Sequence, residues 1–180
     1  MILGGVALLA WSVTGLLTSY NSRVQQLRVW DTRASATAFH GGPAAAFVHP
    51  ALAAGQQVAK MEVPRLGYRA VVLEGTDTEV IDNGPGHLIG SAFPGDPATL
   101  VVAEHNTYWL GFPDLRAGDR VTFTDDDGTF TYLIDSQKVV ENSQWTVPGG
   151  TMPRLMLSTC WPIWAGAFAN QKLVIYGHLA

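Results

Sequence analysis

Short runs of β-forming residues, separated by Gly, Pro and Asp, fill the chain after residue 60 and restrict its fold more than any other feature. A helical pattern is nearly absent there, apart from a possible turn at 77–83. Asp126-Asp127-Gly128 lies between two runs and predicts a β-hairpin. The pattern predicts an all-β barrel or sandwich. The candidate strands are Ala59 to Val63, Tyr68 to Leu73, Thr99 to Ala103, Arg120 to Thr124, Thr129 to Val140, Arg154 to Thr159 and Lys172 to His178.

The first twenty residues are apolar and precede the first charged residue, Arg23. As a helix they would extend about 30 Å, roughly the thickness of a bilayer core. We expect residues 1–20 to be an uncleaved transmembrane anchor. A cleaved signal peptide is the alternative, but no basic segment precedes the apolar run and no clear small-x-small site follows it. We expect residues 21–59 to form a membrane-proximal helix and a linker, because Gly41-Gly42-Pro43 breaks any continuous helix there.

Charge and cysteine content exclude several classes of function. Charged residues make up only 14% of the chain, the net charge is −4, and no basic run is present, which excludes nucleic acid as a partner. One cysteine excludes an internal disulfide framework, and no Cys/His spacing indicates zinc. Asp125-Asp126-Asp127 lacks the ligand spacing of a calcium loop and is interpreted as a solvated turn. We therefore expect no metal site.

The single cysteine, Cys160, ends an apolar run and is followed by Trp161-Pro162, which cannot continue a central strand. A lone cysteine in such a run is either an inert core residue or a nucleophile, and its place at a strand end favours the nucleophile. A thiol nucleophile needs a base or a cation beside it. His105 lies just after the predicted strand Thr99 to Ala103, so it is the candidate for the base. His87, in a Gly-rich turn, is a candidate for a supporting position behind the reacting groups.

The segment Leu157-Ser158-Thr159-Cys160 resembles the TLxTC signature of sortases, and with Trp161-Pro162 it resembles the class D form. Further segments agree with that family in order and spacing, and the resemblance covers Lys60 to Tyr176. Met61 to Leu66 resembles the first barrel strand of the family, and Val72 to Thr76 resembles the second strand and the turn after it. Gly84 to His87, followed by Gly90 to Gly95, resembles the segment that leads to the catalytic histidine, and Ala103 to Asn106 takes the place of the usual AGH. Leu115 to Asp119 resembles the L-x-x-G-D turn.

The resemblance implies an eight-stranded sortase-type β-barrel with short helices over residues 60–180. It implies a cysteine transpeptidase that cleaves a C-terminal sorting motif through a thioester on Cys160, with His105 as acid and base, and transfers the product to an amine. No cofactor is implied. The implied partners are a secreted protein carrying the sorting signal and an acceptor amine from a cell-wall peptide or a pilin lysine. The implied location is the cell membrane, with a single-pass helix and an extracytoplasmic catalytic domain.

Two positions depart from the family pattern. Lys172 stands where sortases carry an arginine; it keeps the charge but lacks the planar fork of donors. If the arginine acts electrostatically, Lys172 can replace it, whereas a role that needs two simultaneous hydrogen bonds would leave the enzyme impaired. Glu104 replaces a glycine, and strand alternation predicts that its side chain faces away from His105.

Candidate substrate-binding residues are Thr159, Trp161 and His87. The alternatives to a transpeptidase are a hydrolase of the same fold, in which water resolves the thioester, and a catalytically impaired, membrane-tethered barrel that binds peptides.

Overall fold

The computed structural model describes residues 2–36, 49 and 51–180. Of the membrane-proximal helix and linker predicted at 21–59, residues 37–48 and 50 lie outside the described residues. The elements in chain order are α1 (Ile2–Ala36), β1 (Gln57–Val63), β2 (Tyr68–Glu74), α2 (Thr78–Ile81), β3 (Gly86–His87), β4 (Thr99–Glu104), β5 (Arg120–Thr124), β6 (Thr129–Glu141), β7 (Arg154–Trp161) and β8 (Gln171–Leu179). Short 3₁₀ turns cover Pro64–Leu66, Phe112–Asp114, Asn142–Gln144 and Ile163–Phe168.

The eight strands form a closed barrel in the order β1-β2-β3-β4-β7-β8-β6-β5, which confirms the predicted eight-stranded barrel. Each of the eight strands therefore has a paired neighbour on both sides, although β3 pairs with β2 and β4 over only two residues each. Two neighbouring pairs, β2 with β3 and β4 with β7, are parallel, and the other pairs are antiparallel. Parallel neighbours end at the same rim of the barrel, so the residues that follow β4 and β7 emerge together.

Side chains of β4, β7 and β8 alternate between the barrel interior and an outer cluster. On β7, Leu155 and Leu157 belong to the interior core, whereas Met156 belongs to a cluster on the outer face with Val101 and Val174. This is the two-residue period of a strand. Every second residue of these strands therefore places its side chain on the outer surface of the barrel.

Helix α1 is continuous over 35 residues and packs against the outside of β1 and β2. Trp30, 4% exposed, packs in a cluster with Leu73 and Val80. Burial of a tryptophan removes a large apolar area from water and holds the second half of α1 on the barrel. Among the helices of the described chain, none joins the length to the apolar content that crossing a membrane requires.

The predicted hairpin at 126–128 is confirmed, with Thr124 paired to Thr129 across the turn. Asp125 Oδ1 accepts hydrogen bonds from the backbone N–H groups of Asp127 and Gly128, both at 2.9 Å. This is an Asx turn, so the carboxylate of Asp125 is used by the loop itself. Its burial raises the pKa of Asp125 from 3.8 to about 6.

We expect Gly86→Ala to destabilise the barrel. A Cβ on Gly86 would overlap the carbonyl oxygen of Gly75 and lie 2.9 Å from Ile81 Cγ2. Overpacking of this kind costs about 1–3 kcal/mol. Gly149→Ala is the matched control because a Cβ there meets no atom within 4 Å. Urea unfolding monitored by tryptophan fluorescence measures both free energies of unfolding, and equal values for the two variants would contradict the packing argument.

We also expect Asp125→Asn to change how stability depends on pH. The folded state binds the Asp125 proton more tightly than the unfolded chain, so this residue lowers the free energy of unfolding as pH rises from about 4 to about 6. Asparagine keeps an oxygen for the turn but does not titrate. The stability of Asp125→Asn relative to the wild type should therefore rise across this interval, as measured by thermal unfolding in a pH series. A constant difference between the two proteins would contradict the expectation.

Candidate active site

Cys160 lies on the outer face of the barrel, near the end of β7. Its neighbour Thr159 points the other way and donates through Oγ1 to the backbone oxygen of Glu104 at 2.7 Å. Cys160 is partly exposed, and with Ser158 it lines a cleft of about 310 Å³. A thiol needed only for core packing would be fully buried, so this position suits a reactive group.

Lys172 is the cross-strand partner of Cys160 on β8. Both residues lie on the outer face, and Lys172 Nζ is 3.3 Å from Cys160 Sγ. An ammonium group at this distance can donate a hydrogen bond to a thiolate or to an oxyanion formed beside it. The residue predicted to replace the family arginine therefore contacts the sulfur directly.

His105 directly follows β4 and lines the same cleft as Cys160 and Lys172. Glu104 of β4 pairs with Thr159 of β7 in parallel register. The residues that follow them, His105 and Cys160, are therefore neighbours. The His105 ring is about one third exposed, and its Nε2 lies 3.1 Å from Asp82 Oδ1. With Nε2 held by this carboxylate, Nδ1 is the nitrogen able to exchange a proton with a bound substrate.

Glu104 extends from the face of β4 that also carries the core residues Leu100 and Val102. Its carboxylate is buried, forms an ion pair of 2.6 Å with Arg23 of α1, and accepts the backbone N–H of His105 at 2.8 Å. Burial raises the pKa of Glu104, and the hydrogen bond and charge of Arg23 oppose that change. Glu104 therefore contacts the backbone of His105 rather than its ring.

The three predicted substrate-binding residues lie outside the residues that line this cleft. Thr159 is 2% exposed, and Trp161 packs against the interior core. His87 is fully buried; its Nδ1 lies 2.6 Å from Glu74 Oε2, and its Nε2 lies 2.9 Å from Ser91 Oγ. These contacts connect β2, β3 and the loop before β4.

Two residues that contact the site escaped the sequence analysis. Asp82 follows the short helix α2 and has no sequence signal that would pair it with His105. Trp145 lines the cleft and donates through Nε1 to Ser158 Oγ at 2.9 Å, so it covers the outer face of β7 beside Cys160. The sequence signal that could have identified Trp145 is a single tryptophan shortly after the long strand β6.

Asn106 connects the segment that carries His105 to the loop after Cys160. Its side-chain amide donates to the backbone oxygens of Pro162 and Gly166, at 3.3 and 3.2 Å. Asn106 is 3% exposed, so these bonds are shielded from water. One side chain therefore connects the segment after His105 to the loop after Cys160.

Comparison with known proteins agrees with this geometry. The family model described as Sortase domain matches residues 61–180. Sortase D of Bacillus subtilis (strain 168) is 28% identical over 126 residues, which cover 68% of this chain and 64% of that protein. The chain thus matches less than two thirds of the length of this curated relative.

Solved structures show the same barrel. A Clostridium perfringens Sortase D5 transpeptidase superposes with a TM-score of 0.66 at 21% identity, covering 72% of this chain and 82% of that one. Sortase A from Corynebacterium diphtheriae gives a TM-score of 0.62 at 25% identity, covering 69% and 61%.

We expect Lys172→Met to slow alkylation of Cys160 by iodoacetamide at neutral pH, because the cation nearest the sulfur is removed. A several-fold loss of rate, measured by intact-protein mass spectrometry, is the expected result. Lys138→Met is the matched control, since Lys138 lies over the Tyr176 ring and not at the sulfur. Equal rates in the wild type and Lys172→Met would contradict a role for Lys172 beside the thiolate.

Proposed function

Because this chain belongs to the sortase family, we propose that it is a cysteine transpeptidase that cleaves a sorting motif near the C-terminus of a protein substrate and transfers it to an amine. The observation that carries the proposal is the convergence of Cys160, His105 and Lys172 on one cleft at the barrel rim. The curated relative named Sortase D supports the same activity.

In the first half-reaction, the Cys160 thiolate attacks the carbonyl carbon of the scissile peptide bond and a C–S bond forms. The tetrahedral intermediate then collapses, the C–N bond breaks, and the leaving amine takes a proton from protonated His105. Lys172 Nζ, already 3.3 Å from Sγ, donates to the negative charge that develops on the carbonyl oxygen. The product is a thioester between the substrate and Cys160.

In the second half-reaction, a primary amine attacks the thioester carbonyl and gives a proton to His105. A new C–N bond forms, the C–S bond breaks, and Cys160 leaves as the thiolate. The thioester conserves the energy of the broken peptide bond, so no cofactor enters the cycle. The acceptor is an amine of a cell-wall peptide or a pilin lysine.

Family membership and the lining of the site support the substrate class. Beside Cys160, His105 and Lys172 the cleft is lined by apolar side chains, among them Leu88 and Trp145, which suit contact with a peptide. The proposed substrate is a secreted protein with a C-terminal sorting signal.

We further propose that residues 1–20 anchor the protein in the cell membrane as a single-pass helix whose end, at Ser19 and Tyr20, lies at the aqueous boundary. Residues 21–59 are then a membrane-proximal helix and linker. Residues 60–180 then form an extracytoplasmic catalytic domain. The absence of charged residues before Arg23 supports the anchor.

Lys172 supports a second candidate, a barrel that binds sorting peptides without turning them over. Its single ammonium cannot form the bidentate contact available to arginine. A hydrolase, in which water replaces the amine, shares all the residues of the first half-reaction. Analysis of the reaction products distinguishes the transpeptidase from the hydrolase and from the non-catalytic barrel.

We expect Cys160→Ala to abolish cleavage of LPxT-type peptides and His105→Ala to lower kcat/KM about 10²–10⁴-fold, the usual effect of losing a general acid and base. His178→Ala is the control, because His178 pairs with Asp135 and does not line the cleft. Mass spectrometry of the products, with and without an added primary amine such as triglycine, provides the readout.

An amide product that forms only with the amine supports the transpeptidase, whereas a free acid in equal yield under both conditions identifies a hydrolase. Hydroxylamine should release the acyl group from the wild-type protein as a hydroxamate. Undiminished cleavage by Cys160→Ala would overturn the proposal. Peptide binding without turnover would identify the non-catalytic barrel.

A further inference from the structure

We propose that Arg23 and Ser19 of helix α1 are positioning residues that hold His105 in place. The kinetic part of this inference rests on the proposed transpeptidase function, but the structural part does not. Two sets of contacts from α1 reach the two groups that bind His105, and a third reaches the aromatic ring beside it.

The first set passes through Glu104. Arg23 donates from Nη1 to Glu104 Oε2 at 2.6 Å and from Nη2 to Oε1 at 3.3 Å. The same Oε1 accepts the backbone N–H of His105 at 2.8 Å. Glu104 has no exposed side-chain surface, and Arg23 is only 13% exposed, so solvent does not screen the pair. The guanidinium thus sets the position of the carboxylate that holds the His105 backbone.

The second set passes through Asp82, whose Oδ1 lies 3.1 Å from His105 Nε2. Arg23 Nη2 donates to the backbone oxygen of Ile81 at 2.9 Å, directly before Asp82. Ser19 Oγ donates to the backbone oxygen of Asp82 itself. Two residues of α1 therefore hold the backbone that presents the carboxylate to the imidazole ring.

The third set involves Tyr108, whose ring lies 6.4 Å from the His105 ring. The Arg23 guanidinium stacks over Tyr108 at 3.7 Å from the ring centre, and Tyr108 Oη donates to Ser19 Oγ at 2.7 Å. The backbone N–H of Tyr108 donates to the His105 oxygen at 3.1 Å. The turn that contains His105 is consequently packed between β4 and α1.

These contacts matter because Asp82 is mostly exposed, at 58%, and its bond to His105 would otherwise compete with water. By holding the backbone on both sides of this bond, α1 keeps Nε2 occupied and Nδ1 directed to the cleft. A shift of about 1 Å in a catalytic group can cost about a hundredfold in rate. Only arginine supplies the planar fork that reaches Glu104 and the Ile81 oxygen together.

The kinetic test compares Arg23→Met and Ser19→Ala with Gln26→Ala in the full-length protein. Gln26 is on the same helix and binds the barrel through Gln57, but it contacts none of the groups around His105. We expect Arg23→Met to lower kcat about tenfold or more while KM stays within about twofold, and Arg23→Lys to recover part of the loss. Gln26→Ala should retain the wild-type kcat. An equal loss in Gln26→Ala and Arg23→Met would overturn the inference.

The structural test does not depend on turnover. In the Cys160→Ala background, NMR resolves the Hε1 signals of the five histidines, and His105→Gln assigns the signal of interest. We expect Arg23→Met and Ser19→Ala to move the His105 signal and to leave that of His178 unchanged, whereas Gln26→Ala moves neither.

Ser19→Ala keeps the ion pair intact, so it remains informative if Arg23→Met unfolds because Glu104 is left buried without a partner. A His105 signal that is the same in the wild type and Ser19→Ala would overturn the inference. If the wild-type protein turns over no peptide, the proposed function fails, while the NMR shifts still decide whether α1 positions His105.

Discussion

The parallel pairing of β4 with β7 is the constraint on which the candidate site depends. Parallel strands end at the same rim, and the register between Glu104 and Thr159 brings the next residues, His105 and Cys160, to neighbouring positions. The antiparallel pairing of β7 with β8 then places Lys172 across from Cys160. One rim of the barrel thus brings together three candidate catalytic side chains from distant parts of the chain.

Much of this arrangement follows from local sequence. The strand pattern predicted seven of the eight strands, because each contains β-branched or aromatic residues between turn signals. The remaining strand, Gly86–His87, contains only two residues and exists because neighbouring strands hold it. Cys160 and His105 could be selected because each lies at the end of an apolar run. Lys172 could be selected only from its resemblance to the position of a family arginine.

The contacts that surround His105 could not be predicted in the same way. Arg23 and Glu104 are far apart in sequence, and neither has a local pattern that indicates its partner. Asp82 follows a helix of four residues, too short to produce a periodic signal. Such contacts depend on how α1 packs against the closed barrel, which is a property of the tertiary fold. The two cations near the site also differ in environment: Lys172 reaches the open cleft, whereas Arg23 is buried against Glu104.

Asn106 makes the course of the loop after Cys160 independent of the side chains in that loop. Its amide donates to two backbone oxygens there, so the bonds depend on the position of the backbone. The side chains of Trp164 and Phe168, 86% and 93% exposed, take no part in these two bonds. Insertions or deletions in the same loop would separate it from the His105 segment. The course of this loop thus depends more on its length than on its exposed side chains.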